Sequence, residues 1–486
     1  MGLVASWGDP QLLDVGDLAA RGGPGQNPDL AAWRARARGP PSNVRQSSVK
    51  ERPRIEKSMR PKHEIGARSV GLADATALDL RGRARQRRLD RRGRGRIVSR
   101  PMAGRNNTIE TKDRNRTLAA VIGTAFGVGV SIGAVVPLLS LILEQRGFDA
   151  TAIGTNAGMS PLGAVAFSFL VPRIITQLGL LKAIIASISL TGVLMLLFPA
   201  IDGYLAWCVI RLAIGCVGVV HWIASETWIN LLARDDNRSR VMAIYATVLA
   251  GGFASGPLLL SLTGTEGWLP FLAVAATALV ALAPVPLIRS VPLALGRMPH
   301  TGMFGVMRVV PLVAAAALAA GFVDASLFSL IPVYQVRAGH AEQLAVLSLS
   351  IFMAGNLVLQ YPLGWIADHT SRRHAAIATA AVIALGAIAY PLMLTVPGES
   401  FWLMMFIWGG VSWGMYTLGL ALLGESLEPT RLAAGNAAFV MMYEIGSITG
   451  PVVSGAALDR WPIVGLPVSI GVTAALFIGV ALVRRR

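Results

Sequence analysis

Twelve apolar runs of about 20 residues or more follow one another from residue 117 to residue 483, and no other property of the chain narrows its fold so far. They lie near 117–143, 152–176, 181–201, 204–232, 240–263, 268–288, 308–333, 342–367, 374–396, 401–427, 432–456 and 463–483. At 1.5 Å of rise per residue, about 20 residues cross a hydrocarbon core of about 30 Å. Lipid offers no hydrogen-bond partner to a bare backbone, so each run is predicted to be a helix. A hydrophobic content of 53%, a charged content of 15% and a mean hydropathy of +0.57 agree with a chain that sits mostly in a bilayer. The expected fold class is an all-α membrane protein with twelve transmembrane helices, called spans 1 to 12 below.

A longer connection at 289–307, carrying Arg289, Pro292, Arg297 and Pro299, divides six spans from six. Sliding the second half back by 194 residues superimposes Gly409 on Gly215, Gly450 on Gly256 and Pro451 on Pro257 without a gap. The reading is therefore a pseudo-symmetric pair of six-helix halves, 102–288 and 308–486, joined by a central cytoplasmic loop. Duplicated halves of this kind enclose a cavity that can open to either side of the membrane. Positive charge fixes the orientation, because Lys and Arg are retained in the cytoplasm. One side of the predicted topology carries 18 of them, the other only Arg146, Arg337 and Arg460. Both termini are predicted to be cytoplasmic and the protein to span the inner (plasma) membrane repeatedly.

The net charge of +17 does not belong to this membrane region. Residues 1–101 hold 22 Lys/Arg against 10 Asp/Glu, in runs such as Arg81-Gly82-Arg83-Ala84-Arg85-Gln86-Arg87-Arg88. Too few large apolar residues are present there to offset the entropy of ordering, so this head is expected to be disordered. Met102, just before the first span, offers a compact alternative start. Three readings of the head stand side by side: a misplaced start codon, a disordered tail, and a basic arm for anionic lipid or nucleic acid. The high pI does not make the whole protein a nucleic-acid binder. Its two cysteines, Cys208 and Cys216, lie eight apart in one apolar stretch and read as small packing residues.

Between spans 8 and 9 runs Gly364-Trp365-Ile366-Ala367-Asp368-His369-Thr370-Ser371-Arg372-Arg373. It resembles the major facilitator superfamily signature Gly-x-x-x-Asp-basic-x-Gly-basic-basic, with His369 at a basic position and Ser371 in place of the second Gly. The Gly permits close helix contact, the Asp caps a helix or pairs with Arg, and the basic pair anchors the loop. By that resemblance Asp368 would hold the inward-side gate closed, docking at the start of span 5 near Arg238 or Arg240. The loop after span 2, Pro172 to Gly179, lacks the Asp. Span 5 carries Gly252 and Gly256-Pro257, and span 11 carries Gly446 and Gly450-Pro451. This spacing lets helices approach closely and bends them at Pro, and the span 5 copy resembles the family's antiporter motif without its trailing glycines. Arg211 to Gly218 is similar to the family's Arg-containing motif of span 4. Ser225-Glu226-Thr227-Trp228-Ile229-Asn230, with Pro137 to Gly147 of span 1, resembles a poorly characterised group of bacterial proteins regarded as proton-coupled exporters.

Charges inside the membrane cost about 2.5–3.5 kcal/mol each on insertion scales, so each one asks for a reason. Asp324 lies sixteen residues into span 7, Glu444 twelve into span 11 and Arg211 seven into span 4, while Glu226 and Glu425 stand nearer the cytoplasmic ends of spans 4 and 10. A carboxylate that alternates between environments can bind and release a proton, which makes Asp324 or Glu444 the expected coupling group, with Arg211 modulating it or receiving an anionic substrate. As the resemblance implies, spans 1, 4, 7 and 10 would line the cavity, and Asn156, His221, Trp222, Tyr334, Asn356, Gln360, Trp413, Tyr416 and Tyr443 are its candidate polar and aromatic residues. Trp413 and Tyr416, three apart, share a helical face and could stack on an aromatic or cationic ligand.

No nucleotide-binding loop, His-Glu-x-x-His, Cys-x-x-Cys or Gly-x-Ser-x-Gly element occurs. The expectation is a monomeric secondary transporter that is not an enzyme, needs no cofactor, metal or nucleic acid, and exchanges a small organic molecule for protons. A proton-coupled importer of a sugar or organic acid is the second reading, and a non-transporting membrane sensor the third.

Overall fold

The computed structural model describes residues 111–233, 238–288, 310–395, 398–428 and 431–483, so the basic head and the central connection lie outside the described residues. The regular structure described is helical throughout. The first half contains α1 (Thr111–Gln145), α2 (Ala150–Ser168), α3 (Val171–Leu178), α4 (Leu180–Ala200), α5 (Tyr204–Leu232), α6 (Arg238–Thr263) and α7 (Leu269–Val280). The second contains α8 (Pro311–Arg337), α9 (Glu342–His369), α10 (Arg372–Leu394), α11 (Glu399–Ser426), α12 (Leu432–Arg460) and α13 (Gly465–Val483). Eleven helices are long and apolar enough to span a bilayer, and α2 with α3 makes the twelfth crossing.

Two spans depart from the continuous helices expected. Span 2 breaks between Ser168 and Val171, and α3 turns 65° away from α2. Pro172 sits in the first turn of α3, where its missing N–H is an orphan position anyway, and Gly179 ends the helix at φ +80°. The stretch from Pro172 to Gly179 is thus a short helix rather than the loop that the sequence suggested. Span 6 stops regular winding at Val280 and continues as turns and a 3-10 helix at Val285–Leu287. Pro284 and Pro286 cannot donate to the helical ladder there.

Glycines set which helices touch. A Cβ on Gly252 would meet the carbonyl of Phe126, and one on Gly256 would meet the backbone of Gly133, so α6 lies directly on α1. In the second half Gly446 abuts Leu318 and Phe322, and Gly450 abuts Phe322, which lays α12 on α8 in the same way. The repeat holds for the other matched pair too: Gly215 packs α5 on Ser160 of α2, and Gly409 packs α11 on Phe352 of α9. Lipid tails are as apolar as side chains, so close van der Waals approach is what associates such helices. Cys208 and Cys216 are free and join the α5–α2 packing, where Cys216 Sγ donates to the Gly163 carbonyl at 3.4 Å.

The halves meet mainly through α2 with α12 and α6 with α9. A Cβ on Gly154 would meet the Pro451 carbonyl, one on Gly158 would stand 3.0 Å from the Ile448 carbonyl, and one on Gly455 would meet the Ala150 carbonyl. Phe253 of α6 adds rings from the other half, Phe328 at 6.3 Å and Trp413 at 6.0 Å between centroids. All of these contacts lie between mid-membrane and the membrane face that carries Arg337. Towards the opposite face, which carries Asp368, Gly364 and Gly424 have nothing within 4 Å.

Candidate functional site

Arg337, at the last turn of α8, closes the space between the halves on its own face. Its guanidinium grips Glu144 of α1 with two parallel bonds, Nε to Oε1 at 2.8 Å and Nη2 to Oε2 at 2.9 Å, while Nη1 reaches Asp459 of α12 at 2.9 Å. Such a fork is geometrically specific as well as strong. Asp459 in turn accepts the backbone N–H groups of Ala150 and Thr151, both at 2.8 Å, and the Thr151 hydroxyl at 2.7 Å. The start of α2, already capped by Asp149 through Ala152 N–H at 2.7 Å, is thereby tied across to α12. A helix N-terminus has free N–H groups and a positive dipole end, so a carboxylate suits it. A second tie joins Gln145 and Thr265 of the first half to Glu342 at the start of α9, with the Thr265 hydroxyl at 2.8 Å. Among the described residues, every hydrogen bond and ion pair between the halves lies on this face. Sequence reasoning did not single out Arg337, Glu144 or Asp459. The signal was there: Arg337 is one of three cations on the sparse side, level with acids that end spans 1 and 11.

Deeper in the membrane region, Asp324 meets a set of aromatic rings of the second half. Asp324 of α8 is 1% exposed, accepts the Tyr443 hydroxyl on Oδ2 at 3.4 Å, and has no partner for Oδ1. Tyr443 and Tyr416 form a T-shaped ring pair at 5.0 Å between centroids, and Tyr416 and Phe439 another at 5.2 Å. Glu226 of α5 and Glu444 of α12 come from opposite halves and are both partly exposed. Trp222, one turn before Glu226, is 37% exposed. Trp413 turns to Phe253 rather than sharing a stack with Tyr416, and its indole N–H is buried without a partner.

Other candidates fall elsewhere. Arg211 is buried and donates to Asn156 Oδ1 at 3.0 Å; Asn156 donates on to Cys208 Sγ at 3.5 Å. It has no carboxylate at ion-pair distance among the described residues. His221 is buried on another side of α5 with both ring nitrogens unpartnered. Gln360 bridges Asn356 and Thr417, both at 2.6 Å, and so links α9 to α11. The Tyr334 hydroxyl donates to the Ile463 carbonyl at 2.6 Å, and its ring packs on Tyr390.

The signature residues stay within their own half in this conformation. Asp368 pairs with Arg372 at 3.6 Å rather than docking on α6; the Arg238 side chain lies outside the described residues, and Arg240 is exposed. Arg372 also reaches the Ala421 carbonyl at 3.1 Å and stands 4.0 Å from Glu425, which is exposed. Arg373 donates to the carbonyls of Ala481 and Leu482, capping the end of α13. Gly364, expected at a close helix contact, faces open space.

Residues 121–451 match the Major Facilitator Superfamily. The chain is 25% identical over 339 residues to the uncharacterised MFS-type transporter YfkF of Bacillus subtilis, covering 67% of this chain and 85% of that one. It is 22% identical over 341 residues to the uncharacterised MFS-type transporter YcaD of Shigella flexneri, covering 68% and 86%. Among solved structures it shares its fold with the nucleoside transporter NupG (13% identity, TM-score 0.63, 76% and 98% covered) and with a D-xylose-proton symporter (16%, 0.61, 76% and 96%). With two matched six-helix halves and a family match across most of its spans, the chain belongs to the Major Facilitator Superfamily, as a membrane transporter of a poorly characterised group and not an enzyme.

Proposed function

We propose that the protein exports a small amphipathic organic molecule across the bacterial inner membrane in exchange for protons, by alternating access of its two halves. The observation that carries this reading is the buried carboxyl of Asp324, held by Tyr443 within the membrane region of a chain whose described ties between the halves all lie on one face. A carboxyl in such a place can be ionised when the cleft holds water or a cation and protonated when it closes dry. Glu444, partly exposed one residue after Tyr443, gives the proton a second station. With the positive-charge orientation, the Asp368 face is cytoplasmic and the Arg337 face is outside. Residues 102–288 and 308–486 act as the moving halves of a monomer, and the Asp368 signature would engage α6 only when the cytoplasmic face closes.

Proton flux in energised inside-out vesicles holding the Met102 to Arg486 chain tests the reading. Lipophilic cations, organic acids and sugars are added in turn. A substrate should dissipate the pH gradient only when the protein is present, and Asp324→Asn should reduce that flux at least tenfold. Transport that persists when Asp324→Asn and Glu444→Gln are combined would remove these acids from coupling. Substrate accumulation inside cells, driven by the inward proton gradient, would make the protein an importer.

A further inference from the structure

A cavity of about 280 Å³ lies within the first half on the Arg337 face, and none of the membrane acids lines it. Its walls are the ends of spans: Gln145 and Arg146 at the close of α1, Trp207 in the first turn of α5 and Phe271 in the first turn of α7. The turn between α6 and α7 supplies Thr265 and Glu266, set between Gly264 and Gly267, both at positive φ. Spans end where hydrocarbon gives way to headgroups, so the cavity sits at headgroup depth. Trp268, on its wall, begins a run of exposed apolar residues that continues through Leu269 and Leu272 along α7. An aromatic at this level followed by bare apolar surface is what a lipid tail meets.

The cavity wall carries one cation and one acid. The Arg146 guanidinium stands 4.4 Å from the centre of the Trp207 ring, and Trp207 is itself fixed, 1% exposed with its indole N–H on the Ile201 carbonyl at 2.9 Å. Among the described residues the only acid paired with Arg146 is Asp202, at 3.4 Å from Nη2, and the Asp202 side chain is 89% exposed. So exposed a pair is weak, which leaves Nε and Nη1 for an incoming anion. Glu266 has no hydrogen bond or ion pair among the described residues. A ligand with both charges suits such a wall. A phosphate matches the guanidinium fork, and a primary ammonium beside it would donate to Glu266 and Asp202. A purely anionic head would leave Glu266 unmatched, and a quaternary ammonium has no N–H to donate. We infer that this cavity binds a phosphoethanolamine group, as a lipid headgroup or as a free molecule. Gln145 and Thr265, on the same wall, are the residues that reach Glu342 of the second half, so a ligand seated here braces that tie and stabilises the observed state. The inference does not depend on the transport reading above.

The test is native mass spectrometry of the full chain in detergent, titrated separately with four probes. Three are dihexanoyl lipids with phosphoethanolamine, phosphoglycerol and phosphocholine heads, and the fourth is glycerophosphoethanolamine, which has no acyl chain. The phosphoethanolamine lipid should bind saturably, at least tenfold more tightly than the other two lipids. Arg146→Gln should weaken it at least tenfold, and Glu266→Gln should abolish the preference over phosphocholine. Both side chains are at the surface, so the thermal melt of each variant without lipid should stay that of the parent. Saturable binding of glycerophosphoethanolamine that is lost in Arg146→Gln supports the site for a free ligand, and binding of the lipid alone supports it for a headgroup. No saturable binding of either phosphoethanolamine probe, equal affinity for the three lipids, or affinity unchanged in both variants would overturn the assignment.

Discussion

At the scale of single residues, glycine and carboxylate positions carry most of the information. Gly256 lets α6 touch the backbone of Gly133, so a side chain there must push two helices apart, whereas Gly218, on α5, has nothing within 4 Å. Overpacking of this kind costs about 1–3 kcal/mol, and more where backbone is the obstacle. Gly256→Val is therefore expected to lower the yield of monodisperse protein and its melting temperature. Gly218→Ala should leave both unchanged or raise the melt slightly, since Ala gains about 1 kcal/mol of helix propensity over Gly. A thermal melt followed by size-exclusion fluorescence reads both. The glycines of the packing motif were legible in the sequence because their spacing is local. The partners of Asp324 were not, since Tyr443 lies 119 residues away and its choice depends on how α12 rotates against α8.

At the scale of helices, the apolar runs predicted nearly every element, because lipid leaves the backbone no alternative to a helix. They failed where proline acts locally. The bend before Pro172 and the early end of α7 leave hydropathy unchanged while removing backbone donors. The ties between helices were also hidden, for Arg337, Glu144 and Asp459 sit at helix ends that look like ordinary solvated termini. Their side chains are each less than one-third exposed. Charge-assisted hydrogen bonds at such a place are worth about 1.5–3 kcal/mol. Arg337→Ala should accordingly shift the population away from the observed state by about ten- to a hundredfold. Cysteine labelling at Thr265, on the Arg337 face, would become faster. A Thr151→Cys/Asp459→Cys pair should act in the opposite sense. Its disulfide, formed where the native side chains meet at 2.7 Å, should stop transport, and reduction should restore it.

At the scale of the whole molecule, the halves are two versions of one design, with Gly215 and Gly256 answering to Gly409 and Gly450 in both sequence and contact. Their sum is a structure in which the described hydrogen bonds and ion pairs between the halves all lie on one face. Rocking of the halves, as in duplicated transporter folds, would have to break the ties at Arg337. The measurement that tests this most directly uses two spin-label pairs across the halves, in a chain whose Cys208 and Cys216 are replaced by Ala. One pair joins Arg240→Cys to Trp365→Cys on the Asp368 face, and the other joins Asp202→Cys to Glu399→Cys on the Arg337 face. Pulsed electron–electron distances in nanodiscs should show the first pair shortening and the second lengthening together when Arg337→Ala is introduced. Distances that stay fixed on both faces, or that lengthen on both, would contradict alternating access of these two halves.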